Sequence, residues 1–146
     1  MFIPPPLLLL AAIAVSYLAT KLTPGLRLAE DVWPVVGMVL IAIGVALFVW
    51  TVQFFQKHKT TLEPRGKPST LITTGPYSIS RNPIYLGFLL VATGTAMLFA
   101  NVLAFVGPVL FFFFIQTLVI PFEEGMLMKV FGDSYQKYRK QIRRWL

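Results

Sequence analysis

A polar, turn-rich patch lies between two long apolar runs and reads L-I-T-T-G-P-Y-S-I-S-R-N-P-I-Y-L-G, residues 71–87. Within it, Gly75-Pro76 predicts a turn, because glycine tolerates positive φ and proline fixes its own φ. Asn82-Pro83 predicts the start of a helix, since proline keeps Asn82 out of the α region and Asn is a favoured N-cap. Arg81 and Asn82 are therefore expected at a helix N-terminus, where an anionic group of a ligand can bind.

The composition predicts a single membrane domain. Of the 146 residues, 56% are hydrophobic and 13% are charged, whereas a soluble domain carries about 25% charged residues. There is no cysteine, and His58 is the single histidine, which excludes disulfides and thiol nucleophiles and argues against a metal site or a His-based triad. His58 lies in a basic loop, so we expect it to be solvated.

Three apolar runs, the third about twice the length of a single span, predict an all-α, integral membrane fold with about four transmembrane helices. These spans are expected at residues 3–21, 33–56, 83–100 and 102–121, followed by a cytoplasmic helical tail over 122–146. The third and fourth spans divide one long apolar tract, and Asn101, close before Gly107-Pro108, is the expected turn between them. The first run lacks the basic start and the cleavage site of a signal peptide, so we expect it to be retained.

Basic residues cluster on one side of this four-span arrangement. The 56–82 segment contains Lys57, Lys59, Arg65, Lys67 and Arg81, and the tail contains Lys129, Lys137, Arg139, Lys140, Arg143 and Arg144. The positive-inside rule then predicts that both termini are cytoplasmic. This placement of the net charge of +7 favours a membrane face over nucleic acid as the partner. A prokaryotic plasma membrane is the expected location.

The tail has a helical pattern, with apolar or aromatic residues at steps of three or four: Leu127, Phe131, Tyr135, Tyr138, Ile142 and Trp145. Gly132-Asp133 is expected to divide this helix, because glycine ends helices and aspartate starts them. The second half is basic and amphipathic, so we expect it to lie on the membrane surface as an anchor.

Two groups of polar residues are candidates for chemistry at the cytoplasmic interface. One is the 69–87 patch, and the other is Glu123-Glu124, directly after the predicted end of the fourth span at Pro121. Paired carboxylates beside an apolar helix end are costly without partners. Each feature also has a structural interpretation: acids favour the first turn of a helix, Arg81 can be an inside-positive anchor, and tyrosines line membrane interfaces.

The combination of two motifs is more specific than either alone. G-P-Y-x-x-x-R-N-P-x-Y-L-G opens the third span, and E-E-G-M-L-M-K-V-F-G-D-S-Y-Q-K-Y, residues 123–138, follows the fourth before R-R-W-L. Together they resemble the isoprenylcysteine carboxyl methyltransferase and phospholipid N-methyltransferase family, over residues 60–146. The resemblance implies an integral membrane methyltransferase that uses S-adenosyl-L-methionine and releases S-adenosyl-L-homocysteine, with no metal.

The resemblance also implies roles for individual residues. The implied cofactor-binding residues are Thr70, Leu71, Ile72, Tyr77, Arg81, Asn82, Pro83, Ile84, Tyr85 and Glu123, and the implied catalytic residues are Glu123, Glu124 and Arg81. Asn82 stands where eukaryotic members have His, and Val119 and its neighbours are apolar where prenylcysteine enzymes carry an Arg. The resemblance therefore supports cofactor binding more strongly than a prenylcysteine acceptor.

The implied acceptor is a lipid-like or small apolar molecule that is methylated on a carboxylate, an amine or a thiol, and membrane lipids are the expected surroundings. An anionic acceptor needs no base, whereas an amine must lose a proton to a residue such as Glu123 or Glu124. Alternatively, these carboxylates bind the ribose hydroxyls or the cationic end of the cofactor.

Two other functions remain open at this point. One is a non-catalytic lipid-binding or assembly protein of the same fold. The other is a membrane reductase that uses a nicotinamide cofactor, against which the absence of a Gly-rich dinucleotide loop argues.

Overall fold

The computed structural model describes residues 4–25, 27–28, 32–57 and 70–146. They form five α-helices: α1 (Pro5–Leu22), α2 (Trp33–Lys57), α3 (Pro83–Leu98), α4 (Val106–Phe114) and α5 (Ile120–Gln141). Short 3₁₀ turns cover Gly75–Ser78 and Val102–Phe105, and a π turn covers Ile115–Val119. These residues contain no β-strand, which confirms the all-α prediction. His58 and its basic neighbours up to residue 69 lie outside the described residues.

Three stretches are long and apolar enough to cross a membrane, namely α1, α2 and the 40 residues Val102–Gln141. Helix α3 is also apolar, but it has only 16 residues. The long apolar helices are those of an integral membrane protein. The limits of the four spans, and the crossing by α3, stay predictions.

Helices α2 and α3 pack backbone to backbone through glycines. A Cβ atom on Gly44 would lie 2.6 Å from the carbonyl oxygen of Gly87, and one on Gly87 would lie 2.8 Å from that of Gly44. Further along the same pair, a Cβ atom on Gly37 would lie 2.6 Å from the carbonyl oxygen of Gly94. Small residues allow this close approach between membrane helices. The crossing thereby fixes α3, whose first turn carries the site described below.

Substituting Gly44→Ala is expected to destabilise the protein, because the added methyl group would overlap the backbone of α3. Overpacking of this kind costs about 1–3 kcal/mol, measurable as a lower thermal midpoint in detergent. Gly125→Ala is the matched control, since a Cβ atom there would meet nothing within 4 Å and alanine favours a helix. Equal midpoints for the two variants would contradict the close crossing.

The predicted turn at Asn101 is confirmed. Helix α3 ends at Leu98, and Ala100 has a positive φ of 48°. The Asn101 side chain then starts the next turn by accepting a hydrogen bond from the Leu103 N–H at 2.9 Å. Its amide also donates to the carbonyl oxygen of Thr23, at 2.8 Å, which ties the hairpin to the end of α1.

The helix does not end at Pro121, where the sequence predicts the end of the fourth span. Helix α4, the π turn and α5 instead run on without a break through Pro121, as far as Gly132. Proline inside a helix lacks a donor and crowds the carbonyl four residues earlier. The π turn Ile115–Val119 widens the helix just before Pro121, and such π-bulges accommodate this kind of irregularity.

The helix that carries the acidic pair Glu123-Glu124 is longer than the hydrocarbon layer of a membrane is thick. The helical stretch from Val106 to the break at Gly132 is roughly 40 Å long at the α-helical rise, more than the roughly 30 Å of hydrocarbon in a bilayer. We therefore expect this helix to extend beyond the membrane, with Glu123 and Glu124 just past the predicted span.

The predicted interruption at Gly132 is confirmed, because this residue has non-helical angles of φ 48° and ψ −120°. The predicted continuation of the helix to Trp145 is wrong, since α5 ends at Gln141. Tyr135 and Tyr138 are 1% and 5% exposed, so the second half of the helix buries its tyrosines inside the protein. Membrane binding by its exposed basic side chains stays a prediction.

Candidate active site

The turn predicted at Gly75-Pro76 is present and is held by two helices. Gly75 has a φ of 62°, which glycine adopts without strain. The ring of Tyr77 meets that of Phe55, at the end of α2, edge to face with 5.6 Å between centroids. From the other side, the Tyr138 hydroxyl of α5 donates to the carbonyl oxygen of Tyr77 at 2.7 Å. This segment is thus fixed between α2 and α5.

Helix α3 starts where the sequence predicts, with Asn82 at the N-cap position and Pro83 as the first helical residue. The Asn82 side chain, however, makes no capping bond, so the expected cap is wrong in this detail. Its amide instead donates to the carbonyl oxygen of Arg144 at 2.9 Å. This bond turns the side chain toward Arg144, while capping would need its oxygen to face the N–H groups of the first turn.

The two sequence motifs meet in a hydrogen bond between Tyr85 and Glu123. The Tyr85 hydroxyl donates to Oε1 of Glu123 at 2.6 Å. Among the described residues, the other carboxyl oxygen of Glu123 has no hydrogen-bond donor. It is thus available to a ligand.

Burial governs the electrostatics of this pair. It raises the pKa of the Glu123 carboxyl, an effect that the hydrogen bond from Tyr85 partly offsets. Burial, and secondarily the charge of Glu123, also raises the pKa of the Tyr77 phenol. Tyr77 therefore stays protonated at neutral pH and keeps its hydroxyl as a possible donor.

The neighbouring Glu124 has different partners, because successive residues of an α-helix point about 100° apart. It is bound by two guanidinium groups: Arg81 Nη1 lies 2.7 Å from Oε1, and Arg144 Nη2 lies 2.8 Å from Oε2. The Arg81 and Glu124 side chains are only 8% and 10% exposed. Arg81, expected to offer its charge to a ligand, is thus already paired with a carboxylate.

The structure brings together most of the residues that the sequence singles out: Tyr77, Arg81, Asn82, Tyr85, Glu123 and Glu124. Pro83 is buried, and Ile84 packs on the hydrophobic core. Thr70 is exposed, while Leu71 and Ile72 are half-buried. In the described part of the chain, no hydrogen bond or ion pair joins these three to the acidic pair, so their predicted contact with a cofactor stays a prediction.

Sequence reasoning missed several residues that build this site: Ser80, Tyr135, Tyr138 and Arg144. The two tyrosines share one helix face, and Tyr135 accepts a hydrogen bond from Arg81 at 3.3 Å. Their spacing of three was visible as part of the helical pattern, but it gave no indication of a partner. Arg144 lies in the R-R-W-L that follows the second motif, and nothing local distinguishes it from Arg143.

The fold and the site define a helical membrane protein with a half-buried carboxyl, that of Glu123, bonded to the first turn of a short apolar helix. A family model for phospholipid methyltransferases matches residues 32–134. This match covers more than half of the chain, which therefore belongs to the phospholipid methyltransferase family. Membership confirms the resemblance seen in the two motifs.

Curated relatives include proteins named as protein-S-isoprenylcysteine O-methyltransferases. That of Schizosaccharomyces pombe is 42% identical over 83 residues, covering 53% of this chain and 33% of the relative. A probable one from Oryza sativa subsp. indica is 32% identical over 112 residues, covering 73% and 57%. That of Xenopus laevis is 30% identical over 127 residues, covering 84% and 43%. The aligned region thus spans a third to just over half of these relatives.

Proposed function

We propose that this protein is an integral membrane methyltransferase that uses S-adenosyl-L-methionine and acts on a lipid-like or small apolar acceptor. The observation that carries the proposal is the hydrogen bond of 2.6 Å between Tyr85 and Glu123. It joins the two motifs of the methyltransferase resemblance at one buried point. Family membership and the names of the relatives support the same activity.

The residues at this point fit the cofactor. S-adenosyl-L-methionine presents an ammonium group and ribose hydroxyls, all of which are donors, and Glu123 keeps one carboxyl oxygen without a donor among the described residues. Tyr77 adds a hydroxyl beside it. We assign Glu123, Tyr77 and Tyr85 to holding the cofactor, which supplies a methyl group already activated on a sulfonium.

The protein contributes position and a dry environment. Glu123 and Tyr85 lie on two helices fixed by packing, so a ligand bound to them is held in one orientation. Tyr85 is buried and Glu123 is half-buried, which limits the contact of a ligand bound there with water. If the acceptor is an amine, Glu123 is the candidate for accepting its proton, whereas a carboxylate or thiolate acceptor needs no base. Arg81 and Glu124 pair with each other, and we assign them to support rather than to contact with the acceptor.

We place the acceptor on the membrane side of the site. Among the outward-facing side chains of α4 is Phe113, which is 57% exposed and suits contact with acyl or prenyl chains. The relatives' names point to prenylated substrates and the family description to phospholipids. The positive-inside rule puts the site at the cytoplasmic face, with both termini cytoplasmic, in a prokaryotic plasma membrane.

The activity is tested by transfer of a radiolabelled methyl group from S-adenosyl-L-methionine. Purified protein in vesicles is given a total lipid extract, a prenylcysteine analogue or an amine lipid in separate reactions. Label in the organic phase of any reaction supports the proposal, and the reaction that gives label identifies the acceptor. Binding of the cofactor without transfer to any acceptor would favour the non-catalytic alternative.

Cofactor binding is expected to strengthen as pH rises through the pKa of Glu123. Burial raises this pKa above the usual range of a glutamic acid, and only the ionised carboxylate attracts an ammonium group. The change should therefore lie at higher pH than a normal carboxyl would give. It is measured as the affinity for S-adenosyl-L-homocysteine against pH, and Glu123→Gln should lack it. A pH dependence that persists in this variant would assign it to another group.

A further inference from the structure

The chain leaves α5 at Gln141 and returns along the site as a non-helical segment, residues 142–146, which we name the C-terminal strap. Its backbone is bonded to the segment that precedes α3. The Arg81 N–H donates to the carbonyl oxygen of Arg143 at 3.0 Å. Ser80 Oγ and Asn82 Nδ2 both donate to the carbonyl oxygen of Arg144, at 3.0 Å and 2.9 Å. The strap thus holds three successive residues at the start of α3.

The side chain of Arg144 binds the other half of the site. Its Nε and Nη2 donate to the two carboxyl oxygens of Glu124, at 3.1 Å and 2.8 Å. A two-pronged bond of this kind fixes orientation as well as distance, which a lysine could not do. One residue therefore connects α5, through its guanidinium group, with the start of α3, through its carbonyl oxygen.

The far end of the strap is anchored on the membrane-spanning helix. The indole N–H of Trp145 donates to Oε1 of Gln116, in the π turn, at 2.8 Å. Its ring lies 5.2 Å from that of Phe112, between centroids. Because its neighbours Arg143 and Trp145 are both hydrogen-bonded, the position of Arg144 does not depend on its ion pair with Glu124 alone.

The position of Arg144 affects the distance between Glu123 and Tyr85, the two residues of the hydrogen bond assigned above to cofactor binding. Glu123 is adjacent to Glu124 on α5, and Tyr85 lies in the first turn of α3, four residues after Arg81. Any change in the distance between α5 and residues 80–82 therefore moves Glu123 relative to Tyr85. Arg81 also bonds directly to Glu124 between these two elements, and Arg144 adds bonds to both of them, to Glu124 on α5 and to Ser80 and Asn82 before α3.

We propose that Arg144 is a positioning residue of the methyltransferase site, and that the C-terminal strap sets the contact between Glu123 and Tyr85. This inference rests on the function proposed above. It assigns a role to the chain end that neither motif predicts. Displacement of a binding group by a fraction of an ångström is enough to weaken a site of this kind.

The test compares Arg144→Ala and Arg144→Lys with Arg143→Ala in the full-length protein. Arg143 is the matched control, because its side chain is exposed, its charge is the same and its backbone carbonyl is kept. Affinity for S-adenosyl-L-homocysteine is measured by calorimetry well below each thermal midpoint, so that loss of stability alone does not change it. Hydrogen exchange of the amides at 80–85 reports whether the strap still holds them.

Arg144→Ala is expected to weaken binding about 10- to 100-fold and to speed exchange at 80–85, with Arg144→Lys intermediate and Arg143→Ala like wild type. Wild-type affinity in Arg144→Ala would overturn the positioning role and leave the proposed function intact. An equal loss of affinity in Arg143→Ala and Arg144→Ala would also overturn the positioning role, since the removal of one positive charge would then explain the weaker binding. Failure of the wild-type protein itself to bind would refute the proposed function, and the inference with it.

Discussion

Replacing Glu123 by glutamine is expected to lower methyl transfer by about 100-fold or more while the protein stays folded. Glutamine has the same shape and can still accept the hydrogen bond from Tyr85, which is 2.6 Å long in the native site. It cannot carry the negative charge that an ammonium group needs, nor accept a proton from an amine. The loss is measured as the rate of methyl transfer and as the affinity for S-adenosyl-L-homocysteine.

Asp133→Asn is the control for this variant, because it removes an acid from an exposed position of the same helix. It should transfer methyl groups at the wild-type rate. If Glu123→Gln were equally active, the carboxylate would have no part in the reaction. A variant with normal affinity but slow transfer would instead indicate a role at the acceptor rather than at the cofactor.

Replacing the next residue, Glu124, by glutamine is expected to have a different effect, namely a large loss of stability. Its carboxylate lies 2.7 Å from Arg81 and 2.8 Å from Arg144, and its side chain is 10% exposed. Removing one partner of a buried ion pair costs about 3–5 kcal/mol, because the remaining charge stays buried without compensation. The thermal midpoint in detergent should fall by on the order of 10 °C.

The two adjacent glutamates thus provide controls for each other. Glu123→Gln should keep the wild-type thermal midpoint and lose cofactor binding, whereas the main effect of Glu124→Gln should be a lower thermal midpoint. A loss of about 1 kcal/mol in the free energy of unfolding lowers the thermal midpoint by more than about 1 °C. A midpoint for Glu124→Gln within about 1 °C of wild type would therefore show that the ion pairs contribute little. The division of roles between the two residues would then have to be withdrawn.

The parts of the fold that the sequence predicted well are those determined by local backbone chemistry. Gly75 supplies a positive φ, Pro83 starts α3, and Asn101 with its neighbours turns the chain. Glycine permits angles that other residues avoid, proline restricts its own φ and the residue before it, and asparagine bonds to the nearby backbone. Such preferences are local and do not depend on the rest of the molecule.

The misses have a common cause in tertiary contacts. Pro121 was expected to end a helix, but the π turn before it lets the helix continue. Asn82 was expected to cap α3 with its side-chain oxygen, but its amide N–H donates to the carbonyl oxygen of Arg144, distant in sequence, and the side chain makes no capping bond. The chain end was expected to be helical, but it returns to the site as a strap. A local pattern cannot reveal such partners.

Local sequence patterns also could not assign the roles of the individual residues in the candidate site. The sequence identified the acidic pair and the segment around Arg81 and Tyr85, and the structure places them in contact. It could not separate Glu123 from Glu124, because both lie in one motif and only their partners differ. The direction in which each side chain leaves α5 decides that one binds a tyrosine hydroxyl and the other two guanidinium groups.

The central claim is that the buried contact between Glu123 and Tyr85 is a binding site for the methyl donor. The most direct measurement is a calorimetric titration of S-adenosyl-L-homocysteine into the detergent-solubilised protein. We predict micromolar binding at a single site that weakens strongly in Glu123→Gln and is unchanged in Asp133→Asn. Absence of binding to folded wild-type protein, or equal binding by all three proteins, would contradict the claim.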